Sequence, residues 1–204
     1  MFVRQFKLGA MDNFVYLVVD DETKRAAVID PSFDARRLQR EAERRGIAIV
    51  YVLNTHGHPD HSADNERLAR ETGAEVAAHE TSRIRKDVSL EDGRILKVGD
   101  LEVRVIHTPG HSPDGCCFLA DKALFTGDTL FIGDCGRTDL PGSDVDEMRE
   151  SLLDKIRSLP DDLVVYPGHD YGDEPFATLG HQKARNRVLV PRTREEFRRF
   201  MGEP

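Results

Sequence analysis

The segment Asn54-Thr55-His56-Gly57-His58-Pro59-Asp60-His61 directly follows Ala48–Leu53, a run with the length and apolar composition of a buried β-strand. If the chain is still extended at this point, His56 and His58 project from the same side, about 6.6 Å apart along the strand. Two imidazoles at that separation can close onto one metal ion. The segment therefore predicts a metal site at the end of this strand.

The second half of the same segment predicts further ligands. Pro59 keeps His58 out of helical geometry, so the chain turns before the next helix begins. Asp60 and His61 then lie at the start of that helix, where the dipole helps to keep Asp60 ionised. They predict a second metal position, or a carboxylate held beside an activated water.

Three later segments also place a possible ligand at the end of a predicted strand. They are Thr108-Pro109-Gly110-His111, Thr126-Gly127-Asp128 and Tyr166-Pro167-Gly168-His169. Functional residues are often carried on loops that a rigid scaffold positions. We therefore add His111, Asp128 and His169 to the candidate ligands.

Strand and helix patterns recur along the whole chain. Apolar runs predict strands, in order, at 14–19, 26–29, 48–53, 76–78, 95–98, 102–106, 116–120, 123–125 and 163–166. A helix capped by Asp34 should end before Gly46, a second capped by Ser62 should end near Gly73, and a third should cover 145–158. This order predicts an α/β fold with helices on the outer faces of the sheets, and a single domain over residues 1–204.

Composition narrows the function. The 204 residues carry a formal charge of -8, which argues against nucleic acid or an anionic membrane as the main partner. Apolar runs are too short to span a membrane, and residues 1–9 alternate like a strand rather than a signal peptide. With only three cysteines, a reducing, cytoplasmic location is expected, and Cys135 is interpreted as a small buried residue.

The ligand pattern resembles that of the metallo-β-lactamase superfamily: His-x-His-x-Asp-His, then His, then Asp, then His. The matching residues are His56, His58, Asp60, His61, His111, Asp128 and His169. The resemblance covers residues 14–171 and implies an enzyme with an αββα sandwich and metals at the edge of the two sheets. It further implies two metal positions, with Asp128 bridging them. One would use His56, His58 and His111, and the other Asp60, His61 and His169.

Two branches of this superfamily fit the chain. The loop Cys135-Gly136-Arg137-Thr138-Asp139 resembles that of persulfide dioxygenases, and glyoxalase II usually carries a longer helical C-terminal region. The first expectation is therefore an Fe(II) enzyme that oxidises glutathione persulfide with O2 to sulfite, with its iron on His56, His111 and Asp128. The alternative is a glyoxalase II-like hydrolase of glutathione thioesters with two Zn2+ or mixed Fe/Zn, in which Asp60 orients the attacking water. A non-catalytic metal-binding or electron-transfer module is the third interpretation.

Either branch requires contacts to a small glutathione-like thiol. Arg137 can bind a carboxylate with its planar guanidinium, although an ion pair with Asp139 that orders the loop is an equally good interpretation. Tyr171 is the second candidate contact. Gly133-Asp134 departs from the dioxygenase pattern, where an arginine is common. The sequence leaves open whether the chain is a monomer or a homo-oligomer.

Overall fold

The computed structural model describes residues 1–202 and contains two six-stranded β-sheets. The first sheet has strand order β1-β2-β3-β4-β5-β6. Its strands are Phe2–Leu8, Asn13–Val19, Arg25–Ile29, Ala48–Leu53, Glu75–His79 and Val88–Leu90. The second sheet has the order β12-β11-β10-β9-β8-β7. Its strands, β7 to β12, are Ile95–Val98, Leu101–His107, Cys116–Ala120, Ala123–Gly127, Val164–Pro167 and Ala177–Thr178.

Helices cover the outer faces of both sheets. In chain order, α1 to α6 are Arg36–Arg44, Pro59–Ser62, Asn65–Thr72, Val145–Arg149, Leu179–Arg185 and Arg194–Phe200. Helix α4 continues as a π-helical stretch at Glu150–Lys155 and a 3-10 turn at Ile156–Ser158, and a second 3-10 turn covers Arg187–Leu189. No helix within residues 1–202 is long and apolar enough to cross a membrane.

Three apolar layers hold this arrangement together. The layer between the sheets includes Tyr16, Phe118 and Phe125. The layer outside the first sheet includes Leu17, Leu38 and Leu68, and that outside the second sheet includes Leu124, Met148 and Phe197. Because both faces of β2 are buried, its sequence Asn13–Val19 is apolar almost throughout instead of alternating. The αββα sandwich predicted from the sequence is confirmed.

The predicted strands agree with the structure to within one or two residues, whereas one helix start was wrong. Ser62 does not cap a helix, because its hydroxyl donates to the carbonyl of His58 and Pro59–Ser62 forms a separate turn of helix. Helix α3 follows with Asp64 at its N-cap position. Helix α1 begins after Ala35, one residue later than predicted, and the Asp34 carboxylate accepts a hydrogen bond from the amide of Arg36, the first residue of α1. The predicted single domain stays a prediction, and its last two residues lie outside the described part of the chain.

The two sheets are joined at the edge where the candidate ligands lie. The Gly168 amide donates to the Gly127 carbonyl, and the Phe14 amide of β2 donates to the Gly168 carbonyl, each at 2.8 Å. The buried hydroxyl of Tyr16 donates to the Pro167 carbonyl at 2.5 Å. A strand of the first sheet thus fixes the end of β11, immediately before His169.

The Tyr16 hydroxyl should contribute measurably to stability. Replacing Tyr16 by Phe leaves the buried Pro167 carbonyl without this donor, so we expect the free energy of unfolding to fall by about 1–2 kcal/mol. Chemical denaturation of the two proteins measures the difference. The matched control is Tyr51→Phe, because the Tyr51 hydroxyl makes no hydrogen bond within residues 1–202. Equal losses in both variants would contradict this role.

Candidate metal centre

The first group of candidate ligands consists of His56, His58 and His111. Nδ1 of His58 lies 3.0 Å from Nε2 of His56 and 3.0 Å from Nε2 of His111. Backbone torsions at His58 are extended, as the following proline predicts. Three imidazole nitrogens from two separate loops thus converge on one point, as a metal ion would require.

The second group consists of Asp60, His61 and His169. Nε2 of His61 lies 3.1 Å from Nε2 of His169 and 3.3 Å from Oδ2 of Asp60. Pro59 starts the short helix α2, which carries Asp60 and His61. The side-chain amide of Asn13 donates to Oδ2 of Asp60 at 3.0 Å and holds that carboxylate in place.

Asp128 lies between the two groups. Its Oδ2 is 3.5 Å from Nε2 of His111 and 3.4 Å from Nε2 of His169, while its Oδ1 is 3.4 Å from Nε2 of His61. A Cβ atom at Gly168 would lie 2.4 Å from Oδ1, so only glycine leaves room for the carboxylate there. All seven predicted ligands are therefore brought together, and one carboxylate contacts both groups.

Asp30 holds two residues of the centre by hydrogen bonds, and it was not predicted from the sequence. Its Oδ2 accepts a hydrogen bond from Nδ1 of His61 at 3.0 Å and one from the Thr55 hydroxyl at 2.6 Å. Because that hydroxyl is donated to Asp30, it can only accept from Nδ1 of His56, 3.1 Å away. The Nε2 atoms of His56 and His61 are then left for a metal. The available signal was a carboxylate directly after strand β3.

Backbone carbonyls fix the rings of His111 and His169 in the same way. Nδ1 of His111 donates to the Arg137 carbonyl at 2.8 Å, and Nδ1 of His169 donates to the Met11 carbonyl at 2.8 Å. Both rings therefore present Nε2 to the centre. Such outer hydrogen bonds set the tautomer and orientation of metal-binding histidines.

The charges in the centre perturb its titratable groups. Burial lowers the pKa of His56 well below its ordinary value, and the neighbouring His61 adds to this. Burial opposes ionisation of Asp128, yet attraction by His61 and a hydrogen bond from His169 outweigh it, so the pKa of Asp128 lies far below its usual range. The pKa of His61 is raised despite burial, chiefly by the charge of Asp128 and the hydrogen bond to Asp30. The Asp128 carboxylate is therefore ionised and attracts positive charge.

The centre fits divalent metal ions. Nitrogen and carboxylate oxygen ligands of this kind suit zinc or iron. Within residues 1–202, no lysine or arginine forms an ion pair with Asp30, Asp60 or Asp128. Oδ1 of Asp128 is buried and accepts no hydrogen bond from these residues. Bound cations would both balance the negative charge of these carboxylates and bind that oxygen.

A cavity of about 720 Å³ opens onto the centre, and both predicted substrate contacts border it. The ring of Tyr171 stacks on His169 at 4.6 Å and 9°, and its side chain is 56% exposed. Arg137 is paired with Asp139 through two hydrogen bonds of 2.5 and 2.6 Å, and both side chains are exposed. The loop pairing considered from the sequence is thus present, on the rim of the cavity.

Residues excluded from the ligand pattern lie outside the two groups. His79 and His107 stack on each other at 3.9 Å, and His181 is an exposed residue of α5. Cys135 is buried, as expected, although it borders the cavity. Burial raises the pKa of its thiol to about 12, so it is a thiol rather than a reactive thiolate at neutral pH.

Comparisons with known proteins agree with this geometry. The chain is 38% identical to a hydroxyacylglutathione hydrolase of Polaromonas sp., over 95% of this chain and 82% of that protein. It is 31% identical to the probable polyketide biosynthesis zinc-dependent hydrolase BaeB of Bacillus velezensis, over 92% of this chain and 86% of that protein. Among similar curated proteins, the chain spans as little as 66% of the relative's own length.

A solved structure extends the similarity to the whole described fold. The crystal structure of ETHE1 from Myxococcus xanthus matches with a TM-score of 0.94 and 30% identity, covering 99% of this chain and 90% of that one. Residues 8–169 match the family model of the metallo-beta-lactamase superfamily. The chain therefore belongs to the metallo-β-lactamase superfamily, as an enzyme with the αββα fold predicted from its sequence.

Proposed function

We propose that the chain is a dinuclear metal-dependent hydrolase of a thioester formed by glutathione or a similar thiol. The observation that carries this proposal is the position of Asp128, whose two oxygens lie within 3.5 Å of nitrogens from both histidine groups. A bridging carboxylate between two complete ligand groups is the arrangement that a two-metal site requires. The hydrolase, which was the alternative from the sequence, thus becomes the preferred candidate.

Each metal would be held by one group, with Asp128 shared. The first would be held by His56, His58 and His111, and the second by Asp60, His61 and His169. When bound, the ions supply Lewis acidity that activates water and polarises the substrate carbonyl. Every histidine ring of the two groups except that of His58 enters the site already oriented, because Asp30, Thr55 and the carbonyls of Met11 and Arg137 hold the outer nitrogens.

Asp60 is the residue that we assign to orienting the attacking water. Its carboxylate is half-buried, is held by the Asn13 amide, and stays ionised because hydrogen bonding and attraction from His61 overcome the effect of burial on its pKa. An ionised carboxylate accepts a hydrogen bond from water and thereby directs a lone pair of the water oxygen at the carbonyl carbon. Water adds to that carbon, the C–S bond breaks, and the products are a carboxylic acid and a free thiol.

The larger cavity supports a substrate with a sizeable thiol portion. Its volume of about 720 Å³ lies in the usual range of small-molecule sites. Tyr171 and Phe131 supply aromatic surface at its mouth, and Arg137 supplies a cation on its rim. The hydroxyacylglutathione hydrolase found among the relatives is consistent with a glutathione-like thiol here.

The persulfide dioxygenase is the second candidate function. It would use O2 and one Fe(II) held by His56, His111 and Asp128, and two histidines with one carboxylate form the usual ligand set of non-haem iron oxygenases. Two observations favour it: Oδ2 of Asp128 lies 3.5 Å from Nε2 of His111, and the loop residues Cys135 and Arg137 border the cavity.

Metal content should distinguish the two candidates. Under the hydrolase proposal, wild-type protein binds about two metal ions per chain, and His169→Ala lowers this to about one because the second group loses a ligand. His181→Ala removes an exposed histidine of α5 and should leave the content unchanged. Elemental analysis of anaerobically purified protein measures all three. One iron per chain in both wild type and His169→Ala would favour the dioxygenase.

Enzyme activity distinguishes the two candidate functions independently of metal content. We expect the protein to hydrolyse S-lactoylglutathione without consuming O2, since hydrolysis requires only water and the metal centre. An oxygen electrode and a spectrophotometric thioester assay on the same preparation provide both readings. O2 uptake with glutathione persulfide, combined with negligible thioester hydrolysis, would reject the hydrolase and establish the second candidate.

Arg137 should affect substrate affinity more than stability. Water screens an exposed ion pair, so loss of the pairing with Asp139 should cost little stability. Arg137→Lys keeps the charge but loses the planar fork, and we expect a higher KM with an almost unchanged melting temperature. Asp139→Asn is the matched variant, which breaks the same pair from its other side. If both variants lower the melting temperature and leave KM unchanged, Arg137 orders the loop and does not bind substrate.

A further inference from the structure

A second cavity meets the first at the metal centre. It is a groove of about 460 Å³, and His58 and Pro141 border both it and the larger cavity. His58 belongs to the first ligand group, so a substrate whose carbonyl lies at the centre has room on two sides. The larger cavity suits the bulky thiol portion, and the groove suits a short acyl chain.

The groove contains a polar group with no partner. The residue Ser112 is only 5% exposed, and its hydroxyl oxygen is buried and makes no hydrogen bond within residues 1–202. Buried hydroxyls without a partner are uncommon, because desolvation is then not compensated. Ser112 directly follows the candidate ligand His111 and borders the groove. It can therefore donate a hydrogen bond to an oxygen of a bound acyl group.

Arg83 supplies a free cation at the same groove. Its side chain is exposed and forms no ion pair or hydrogen bond with any described residue, in contrast to Arg137, which is neutralised by Asp139. Ile84 and Pro113 add apolar surface to the groove. A groove that is partly apolar and is bordered by both the candidate ligand His58 and an unpaired guanidinium is complementary to a short chain ending in a carboxylate.

The buried carboxylate of Asp114 limits where such an anion can lie. Asp114 borders the groove and is 8% exposed, and a Cβ atom at Gly57 would lie 2.9 Å from its Oδ2. A second carboxylate deep in the groove would be repelled by it. The negative end of a substrate is therefore favoured at the outer rim, beside Arg83.

We propose that the groove binds the acyl portion of the thioester and that Arg83 selects acyl groups ending in a carboxylate. This inference rests on the proposed hydrolase, because it assigns the two cavities to the two halves of a thioester. It names the substrate class as thioesters of dicarboxylic acids, with Arg83 as the specificity-determining residue and Ser112 as a hydrogen-bond donor to the chain.

Two stable thioethers of equal length test the inference without turnover. S-(3-carboxypropyl)glutathione carries a terminal carboxylate, and S-butylglutathione ends in a methyl group. Calorimetric titration of each into metal-loaded protein gives the two dissociation constants. We expect the wild type to bind the carboxylate compound about tenfold more tightly, as one charge-assisted contact allows.

Variants of two neighbouring arginines locate the effect. In Arg83→Gln the two compounds should bind with about equal affinity. In Arg85→Gln the preference for the carboxylate compound should persist, because Arg85 is exposed on the same segment but does not line the groove. Melting temperatures confirm that both variants fold. Equal affinities in the wild type, absence of binding of either compound, or a preference that survives in Arg83→Gln would each overturn the inference.

The same titrations separate this inference from the proposed function. The thioethers contain no bond that the enzyme hydrolyses, so their binding does not depend on catalysis. An Arg83-dependent preference in a protein that hydrolyses no thioester would leave the groove as a carboxylate subsite and reject the hydrolase. Rapid hydrolysis of S-lactoylglutathione without that preference would retain the hydrolase and reject the role of Arg83.

Discussion

Attraction between the buried Asp128 carboxylate and the surrounding histidines is the constraint on which the site depends. Asp128 is only 9% exposed, and burying an ionised carboxylate is costly unless opposite charge or hydrogen bonds compensate. Asp30 and Asp60 add two more carboxylates to the same region, and none of the three is paired with lysine or arginine within residues 1–202. Protonated histidine or bound metal must therefore supply the positive charge, and five convergent imidazoles favour metal.

The fold satisfies this constraint by bringing several strand ends together at one edge. Gly127 and Gly168 are joined by a backbone hydrogen bond, and Phe14 connects the first sheet to the same point. The candidate ligands consequently come from loops after β4, β8, β10 and β11, while Met11 and Asp30 hold the outer nitrogens of His169 and His61 from the first sheet. The contacts that join the two sheets at this edge thus also position the candidate ligands, so a change that loosens the edge should disturb the metal centre as well.

The sequence predicted most of this arrangement because buried strands have a recognisable composition and the ligands directly follow them. All seven candidate ligands were found in this way, as were the sheets with helices on their outer faces, and the resemblance to the metallo-β-lactamase superfamily implied the αββα sandwich. Asp30 also follows a strand, but a lone aspartate at a strand end is common, and only the contact with His61 identifies its role. Ser62 was wrongly taken as a helix cap because its hydroxyl turns to the His58 carbonyl. Arg83 lies in an irregular segment without periodicity, so only tertiary packing places it on the groove.

The two cavities at the centre differ in how their arginines are paired. In a chain of net charge -8, an anionic substrate gains little from the overall field and must rely on local cations. Arg137 is tied to Asp139, so its charge is largely cancelled until a carboxylate competes for its guanidinium. Arg83 forms no ion pair within residues 1–202, and its guanidinium lies at the second cavity, the groove. In the hydrolase that we propose, a substrate with anions at both ends would be oriented by the difference between these two arginines.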